Sequence, residues 1–534
     1  MQRIIKFIST NKILILLFLL STLSFFRMLR PGVYSTQDFH LFRLYQFEKC
    51  LLDFQLPCRW APDAGLGYGE PIFNFYGQVS YLAGEFFRLI GFSLIDSLKA
   101  VFAVSLAGSA IAMYFLAKKI WKNEFAGLIS AVLYLFAPYR AVDVWVRGAF
   151  PEAVSFILFP LILLSIENKK FFTFTFLVAA LVTTHNLSAL MFLPVLVVWL
   201  ILRKYWEGFI GGVVSLFISS YYLLPLIFES KFINIRNTTL GYFDFHNHFA
   251  TSFELFISNF WGYGASVWGP KDDLSLAIGY LQWIVPVSVF VFLLVKVMSK
   301  RTNIVKNLEF FVLFVLGWFF LFMTHNKSTP IWETFSFLHY IQFPWRFLGM
   351  VVFCFSLAAG SISSFNVGKK FLFSIVVVAA TIFLNTAFFR EDLWFKVNDS
   401  YYTTGSEWDR QRTASIGDYW PIFGPIPTNS AKESSEYWRL VSKKSNYFKF
   451  ETKFDQSSEL VLPVNYFPGW VAKVDGVDTP IVPSKEEGRI KLEVPSGNRV
   501  VELLFLNTTV RKLGNFISLL TIIVVMLFMY KRNE

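Results

Sequence analysis

Charged side chains are scarce in this sequence, at 16% of 534 residues, where a soluble domain carries about a quarter. That deficit excludes an ordinary soluble enzyme and any binder that works through a densely charged face. Cysteine is nearly missing. The three present, Cys50, Cys58 and Cys354, form no CxxC pair, which excludes a zinc ribbon and a disulfide scaffold. Cys50 and Cys58 are free to pair only where they face an oxidising compartment. Histidine is equally sparse, with six residues. No dinucleotide fingerprint occurs either: Gly65, Gly67 and Gly69 imitate one, but no strand precedes them and Pro71 follows.

What fills the chain instead is apolar. Hydrophobic residues make up 55%, including 64 Phe, and the mean hydropathy is +0.50. This is the composition of an integral membrane protein. The N-terminal MQRIIKFISTNK precedes ILILLFLLSTLSFF, the basic-then-apolar order of a signal sequence. No small-x-small cleavage site follows, so the segment is expected to persist as a first span. Charge-free apolar stretches recur at 13–26, 101–117, 125–139, 153–166, 171–184, 187–202, 209–228, 274–295, 310–324, 347–368, 371–389 and 513–530. About twelve spans are expected, several borrowing flanking residues to reach the ~20 that crossing requires.

The distribution of lysine and arginine tests that list. With the N-terminus in the cytoplasm and spans alternating, inside segments hold Arg3, Lys6 and Lys12; Lys118, Lys119 and Lys122; Lys169 and Lys170; Arg203 and Lys204; Lys296, Lys300, Arg301 and Lys306; Lys369 and Lys370; Lys531 and Arg532. Every short inside loop is basic. These orientation signals account for much of the net charge of +12, so no nucleic-acid partner is implied. Both termini are expected in the cytoplasm of a multi-pass plasma-membrane protein. All six histidines, His40, His185, His246, His248, His325 and His339, then fall outside, together with Asp38, Arg43, Asp63, Arg147, Glu152 and Arg346. Any chemistry is placed on the extracytoplasmic face, where lipid-linked donors are likelier reagents than nucleotides.

The outer segments organise the rest. The first, 27–99, contains "CRWAPDAGLGYGEPIFNFYG", a loop punctuated by Pro and Gly turns, and then an amphipathic stretch from Gln78 to Ile90 expected to lie on the membrane. Residues 390–511 read as a separate domain. "NYFKFETKF", "SELVLPVNYF", "GRIKLEVPSG" and "RVVELLFLNT" alternate as strands around a turn-like "KVDGVD". The expected fold is a mainly α polytopic membrane domain over 1–389, an extracytoplasmic β-sandwich-like domain over 390–511, and a final helix with a cytoplasmic tail over 512–534.

The stretch "STQDFHLFRLYQ" gathers Asp38, His40 and Arg43 beside the first span. Ser35 and Asp38 have capping-box spacing, so Asp38 serves equally well as a helix start, with Arg43 reaching lipid phosphate. On an ideal helix Asp38 and Arg43 point roughly 140° apart, so a site built on both needs partners from other loops. Arg147, His185, His325 and Arg346 are expected at the same membrane level. Arg147 and Glu152 are alternatively a structural ion pair, and His185 a hydrogen-bonder at a turn. His246 and His248 share a face only on a strand. Sugar transfer from a polyprenyl phosphate needs a base or metal at the attacking oxygen and cations at the departing phosphate; a carboxylate at a helix start and forked guanidiniums supply both.

"QDFHLFR", "RWAPDAGLGYGEPIFNFYG", "APYRAVDVWVRGAFPE", "TTHNLSAL" and "FPWRF" resemble bacterial membrane proteins labelled 6-pyruvoyl-tetrahydropterin-synthase-related. They are also similar to the lipoteichoic-acid-glycosylating membrane proteins and, more distantly, to GT-C glycosyltransferases; "YFPGWVAKVDG" and "VPSG" extend the likeness into the β-rich domain. The pterin label brings no chemistry, since no soluble enzyme domain is present. The resemblance implies a membrane glycosyltransferase that moves sugar from a polyprenyl-phosphate donor to an envelope glycan, lipid or protein. Asp38 matches the early acidic residue of GT-C enzymes, as base or as ligand of a divalent metal ion, although Phe39 stands where an Asp-Glu pair would continue. Arg43, Arg147 and Arg346 are implied at the donor phosphate, with His40, Glu152, His185 and His325 in support. A lipid-glycan flippase and a non-catalytic glycan-binding envelope protein are the alternatives.

Overall fold

The computed structural model describes residues 11–36, 38–267, 272–364, 370–413 and 416–533. The chain folds as two compact units, each assembled from separated segments. The first comprises Met1–Thr36, Lys99–Ser215 and Thr239–Lys396; the second comprises Gln37–Leu98, Leu216–Thr238 and Val397–Glu534. The first outer loop therefore belongs to the same unit as the β-rich domain.

Helices dominate the first unit because long apolar runs without water must satisfy their backbone groups internally. Seven helices in the described chain are long and apolar enough to cross a membrane, or up to nine if each of two bent pairs is one span. The sequence list held twelve. The difference lies in Phe171–Thr184, Asn186–Leu202 and Leu372–Phe388, which are apolar but no longer than 17 residues. Aromatic side chains fill the core: Phe159 stacks on Phe192 at 4.7 Å, and both meet Phe353 edge-on, the geometry ring quadrupoles favour. Strand β1 (Val33–Tyr34) pairs antiparallel with β2 (Trp394–Phe395), closing the unit's beginning onto its end. A Cβ on Gly32 would stand 2.2 Å from the Phe395 carbonyl oxygen, so only glycine fits there.

Lysines terminate helices in an unusual way. Lys122, Lys169, Lys204 and Lys300 all adopt positive φ, between 48° and 55°, a left-handed conformation normally left to glycine. Behind Lys169, Lys204 and Lys300 the next amide bonds back five residues, as in Lys170 N–H to Ser165 O at 2.9 Å. An ammonium here faces the negative end of the helix dipole, which offsets the backbone strain.

The second unit opens with the helix Asp38–Leu52. A disulfide joins Cys50 at its end to Cys58. Eight strands follow the irregular segment after Val397: β3 (Trp438–Lys443), β4 (Tyr447–Phe454), β5 (Ser458–Asn465), β6 (Trp470–Val474), β7 (Val477–Thr479), β8 (Val482–Pro483), β9 (Arg489–Val494) and β10 (Gly497–Phe505). They form one antiparallel sheet in the order β3-β4-β10-β6-β7 and a second in the order β5-β9-β8. Inward residues of both sheets, among them Phe450, Leu462, Trp470, Leu492 and Leu503, share a single core, as period-two alternation requires. The "KVDGVD" turn closes the β6–β7 hairpin with Asp475 and Gly476 both at positive φ, the backbone a tight hairpin needs.

From β10 the chain enters the helix Thr509–Asn533, which packs against Ser220–Glu229. The junction is held by a buried ion pair. Arg511 Nε donates to Glu229 Oε2 at 2.9 Å, Asn74 donates to the same oxygen at 2.6 Å, and Thr508 donates to Glu229 Oε1 at 2.6 Å. Removing one member of such a pair strands a buried charge, which costs about 3–5 kcal/mol. Glu229→Ala is therefore expected to lower unfolding stability by about that amount in detergent, measured by chemical denaturation, whereas an exposed β-sheet pair such as Arg439–Glu451 contributes under about 1 kcal/mol.

Candidate functional site

In the first unit the polar side chains converge at the start of the helix Phe150–Glu167. The helix begins with Pro151 in its first turn, where its missing N–H is not needed. Just before it, Val142–Val146 forms a π turn, and the Arg147 amide reaches back to the Val142 carbonyl at 2.8 Å. Such widened turns mark functional positions in helices often enough to direct attention here. Arg147 Nη1 donates to Asp143 Oδ1 at 3.0 Å and Glu152 Oε2 at 2.9 Å. Tyr139 donates to the other Glu152 oxygen at 2.7 Å. The guanidinium lies 4.8 Å from the ring centre of Trp345, a cation–π arrangement.

Arg346, next in sequence, donates to the Ile341 carbonyl at 2.7 Å and to Gln342 Oε1 at 3.1 Å. Gln342 sits at φ +66°. His185 occupies the extended residue between Phe171–Thr184 and Asn186–Leu202, its Nδ1 2.7 Å from Ser188 Oγ. Arg147, Arg346 and His185 all act electrostatically on Glu152. Burial pushes the His185 imidazole down to about 4, with Glu152 opposing and the two guanidiniums adding to the fall, so the ring is neutral at physiological pH. Four of the sequence-selected residues, Arg147, Glu152, His185 and Arg346, are thus brought together. Thr36, two residues ahead of Asp38, donates to the Trp145 carbonyl at 3.3 Å. Its own carbonyl oxygen stands where a Cβ on Gly148 would come within 2.3 Å.

The second unit carries Asp38, His40 and Arg43. Asp38 begins the helix Asp38–Leu52; its side chain, Gln37 and the capping pair with Ser35 lie outside the described residues. His40 Nδ1 is 2.8 Å from the Tyr81 hydroxyl. Arg43 does not reach toward lipid. It turns inward, 1% exposed, with its guanidinium 4.1 Å from the ring centre of Tyr76 and 5.6 Å from that of Tyr419. Glu70 is fully buried, and among the described residues neither of its carboxylate oxygens has a hydrogen-bond partner. Gly65 at φ +58° lets the chain pass it, since a Cβ there would stand 2.8 Å from Glu70 Oε1. Burial pushes the Glu70 carboxyl up to about 8, with Asp418 adding and Arg43 opposing. Burial also raises Asp418, again against Arg43.

The remaining histidines stand apart. His325 ends the helix Leu308–Thr324 and accepts the Lys327 amide at 3.3 Å, outside the Arg147 cluster. His246 turns to Asp244 at 2.7 Å, and His248 to Ser266 at 2.7 Å; they do not form a metal pair. Among the described residues no three His, Cys, Asp or Glu side chains converge to hold a metal ion.

Sequence reasoning passed over Asp143, Tyr139, Trp345, Glu70, Asp418 and the tyrosines around Arg43. Asp143 was discoverable, four residues before Arg147 on one helical face. Glu70 and Asp418 lie 348 residues apart in sequence and gave no local signal. No known family model matches the chain, nor does any curated protein.

A carboxyl that keeps its proton when folded up to about pH 8 but loses it near pH 4.3 when unfolded makes stability fall as pH climbs between those values, because the unfolded chain then binds fewer protons. Glu70→Gln is expected to flatten that decline and to raise the melting temperature at pH 8 relative to wild type, with little change at pH 4.5. Thermal unfolding of both proteins across this range measures it.

Proposed function

We propose that the protein is a membrane glycosyltransferase of GT-C type, transferring a sugar from a polyprenyl-phosphate donor to an extracytoplasmic acceptor, whether envelope polymer, lipid or protein. The observation that carries this reading is the gathering of Arg147, Arg346, Glu152 and His185 at one end of an apolar helix bundle. Forked guanidiniums match phosphate oxygens, and a lipid tail can remain among the apolar helices while its phosphate meets them. In this reading Asp38 takes the acceptor hydroxyl proton as general base. The hydroxyl oxygen bonds to the anomeric carbon, the bond from that carbon to the phosphate oxygen breaks, and the polyprenyl phosphate departs with the electron pair. Arg147 and Arg346 neutralise the departing phosphate, and Glu152 and His185 position them. Burial of Arg43 beneath tyrosine rings favours a role in ordering its helix over direct phosphate contact.

The proposed topology has about twelve spans, cytoplasmic termini and the large loops outside. Lysines at the left-handed ends of four helices support it, because those positions coincide with the basic inside loops. The Cys50–Cys58 disulfide supports an oxidising, extracytoplasmic place for the first loop.

A flippase is favoured by one observation of its own. The pair Glu124–Leu135 and Pro138–Val146 bends by 52° with Arg140 and Asp143 fully buried in its second half, as broken helices with buried charges do in transporters.

Reconstituted proteoliposomes with radiolabelled polyprenyl-phosphate sugars, with and without divalent metal, separate the readings. Asp38→Asn is expected to lower transfer by about 10²–10⁴-fold and Arg346→Ala to lower it by raising the donor KM. Unchanged turnover in Asp38→Asn removes the site assignment. Movement of donor across the bilayer without transfer moves the protein to the flippase class.

A further inference from the structure

The second unit exposes its apolar side chains where a soluble surface would not. On the helix Val79–Leu89, Ser80, Tyr81 and Glu85 are buried, while Phe86 and Leu89 face outward, Leu89 at 85% exposure. The pattern is inside out for water. Beside it, at the end of Asp38–Leu52, Leu52, Phe54 and Leu56 are also exposed, Phe54 at 85%. The two helices lie against each other through Leu44 and Gly84, and Arg88 Nη2 donates to Glu48 Oε1 at 2.9 Å, so both apolar ends fall on one side.

Phe54 is held in this posture. Its backbone is left-handed, at φ +56°, and the next amide, Gln55 N–H, bonds back to the Cys50 carbonyl at 3.0 Å, the closure that ends the helix and fixes where the ring points. The loop around it is fixed from several directions. Cys50 and Cys58 are bonded, the Gln55 side chain donates to the Ser445 carbonyl at 3.3 Å, and the Ser445 amide donates to the Asp53 carboxylate at 2.6 Å.

These same bonds set its level. Ser445 lies in the β3–β4 turn, and the neighbouring Asn446 carbonyl accepts the Phe505 amide at 2.9 Å. Phe505 is the last residue of β10, and only Leu506, Asn507 and Thr508 separate it from the apolar helix Thr509–Asn533. Arg59, one residue past the disulfide, donates to Asn515 Oδ1 within that helix at 3.0 Å. The Phe54 loop therefore stands level with the first turns of a membrane-crossing helix of its own unit.

We infer that Leu52, Phe54, Leu56, Phe86, Leu89 and Ile90 form a wedge inserted into the acyl-chain boundary of the bilayer. The occupant of this face is the lipid bilayer, because the face continues the lipid-exposed surface of Thr509–Asn533 at the same height. The wedge gives the unit a second point of membrane contact besides its spanning helix, and it does so whatever reaction the protein performs.

Full-length protein in phosphatidylethanolamine–phosphatidylglycerol vesicles tests this with spin labels on introduced cysteines. The native cysteines are paired or buried, so Phe54→Cys and Leu89→Cys label selectively. Val477→Cys is the control: Val477 is apolar and 69% exposed, but it sits at the far end of the β6–β7 hairpin from Phe505. Labels at 54 and 89 are expected to collide with oxygen several-fold more than with a water-soluble nickel chelate, as does a lipid-facing label from Leu520→Cys, whereas 477 shows the reverse. Nickel-dominated collision at both 54 and 89 overturns the inference. Shielding from both reagents overturns it as well, by showing that protein covers the face.

Discussion

A guanidinium held largely out of water among apolar helices has to be answered by negative charge, and Arg147, its side chain 14% exposed, is answered twice. Asp143 reaches it from the π turn and Glu152 from the first turn of the following helix. That demand fixes much else in the first unit. The π turn sets the approach of Asp143, Tyr139 completes Glu152, and the Trp345 face closes the remaining side. Gly148 has to be glycine, since the Thr36 carbonyl fills the place of a side chain. The loop "VRGAFPE" is thus shaped by neutralising one cation that water reaches only at its edge.

The second unit meets the same constraint with different parts. At Glu229, a single carboxylate collects Arg511, Asn74 and Thr508, which locks the strand-to-helix passage after β10. At Arg43 the surroundings are diffuse, tyrosine rings together with two carboxyls, Glu70 and Asp418, whose proton affinity burial raises. An arrangement of this kind holds shape near neutrality while keeping proton affinity in reserve, and such perturbed groups are where chemistry is usually sought.

How much of this was written in the sequence depends on range. Apolar runs and their basic flanks are local, and each expected stretch carries a helix, though three are too short to count as spans by length. Strands β4, β5, β9 and β10 were visible through alternation because each has one face in the sandwich core. Strands β7 and β8 were not, since three and two residues hold no period. Arg147, His185, His325 and Arg346 were expected at one membrane level from their place at span ends; Arg147, His185 and Arg346 do act together on Glu152, while His325 turns to the Lys327 amide instead. The partition into discontinuous units was not legible, because it rests on pairings such as Gln55 with Ser445, 390 residues apart. Nor was the inward turn of Arg43, which depends on Tyr419 arriving from the far end of the chain.

The lysine-ended helices carry a further implication. Where Lys169, Lys204 and Lys300 reverse the chain, the closing backbone bonds count residues strictly, and an added residue would break them. Those turns are consequently closed to enlargement. Added length is accommodated only outside those five-residue closures, so insertions in this chain are kept away from the helix endings that carry the lysines.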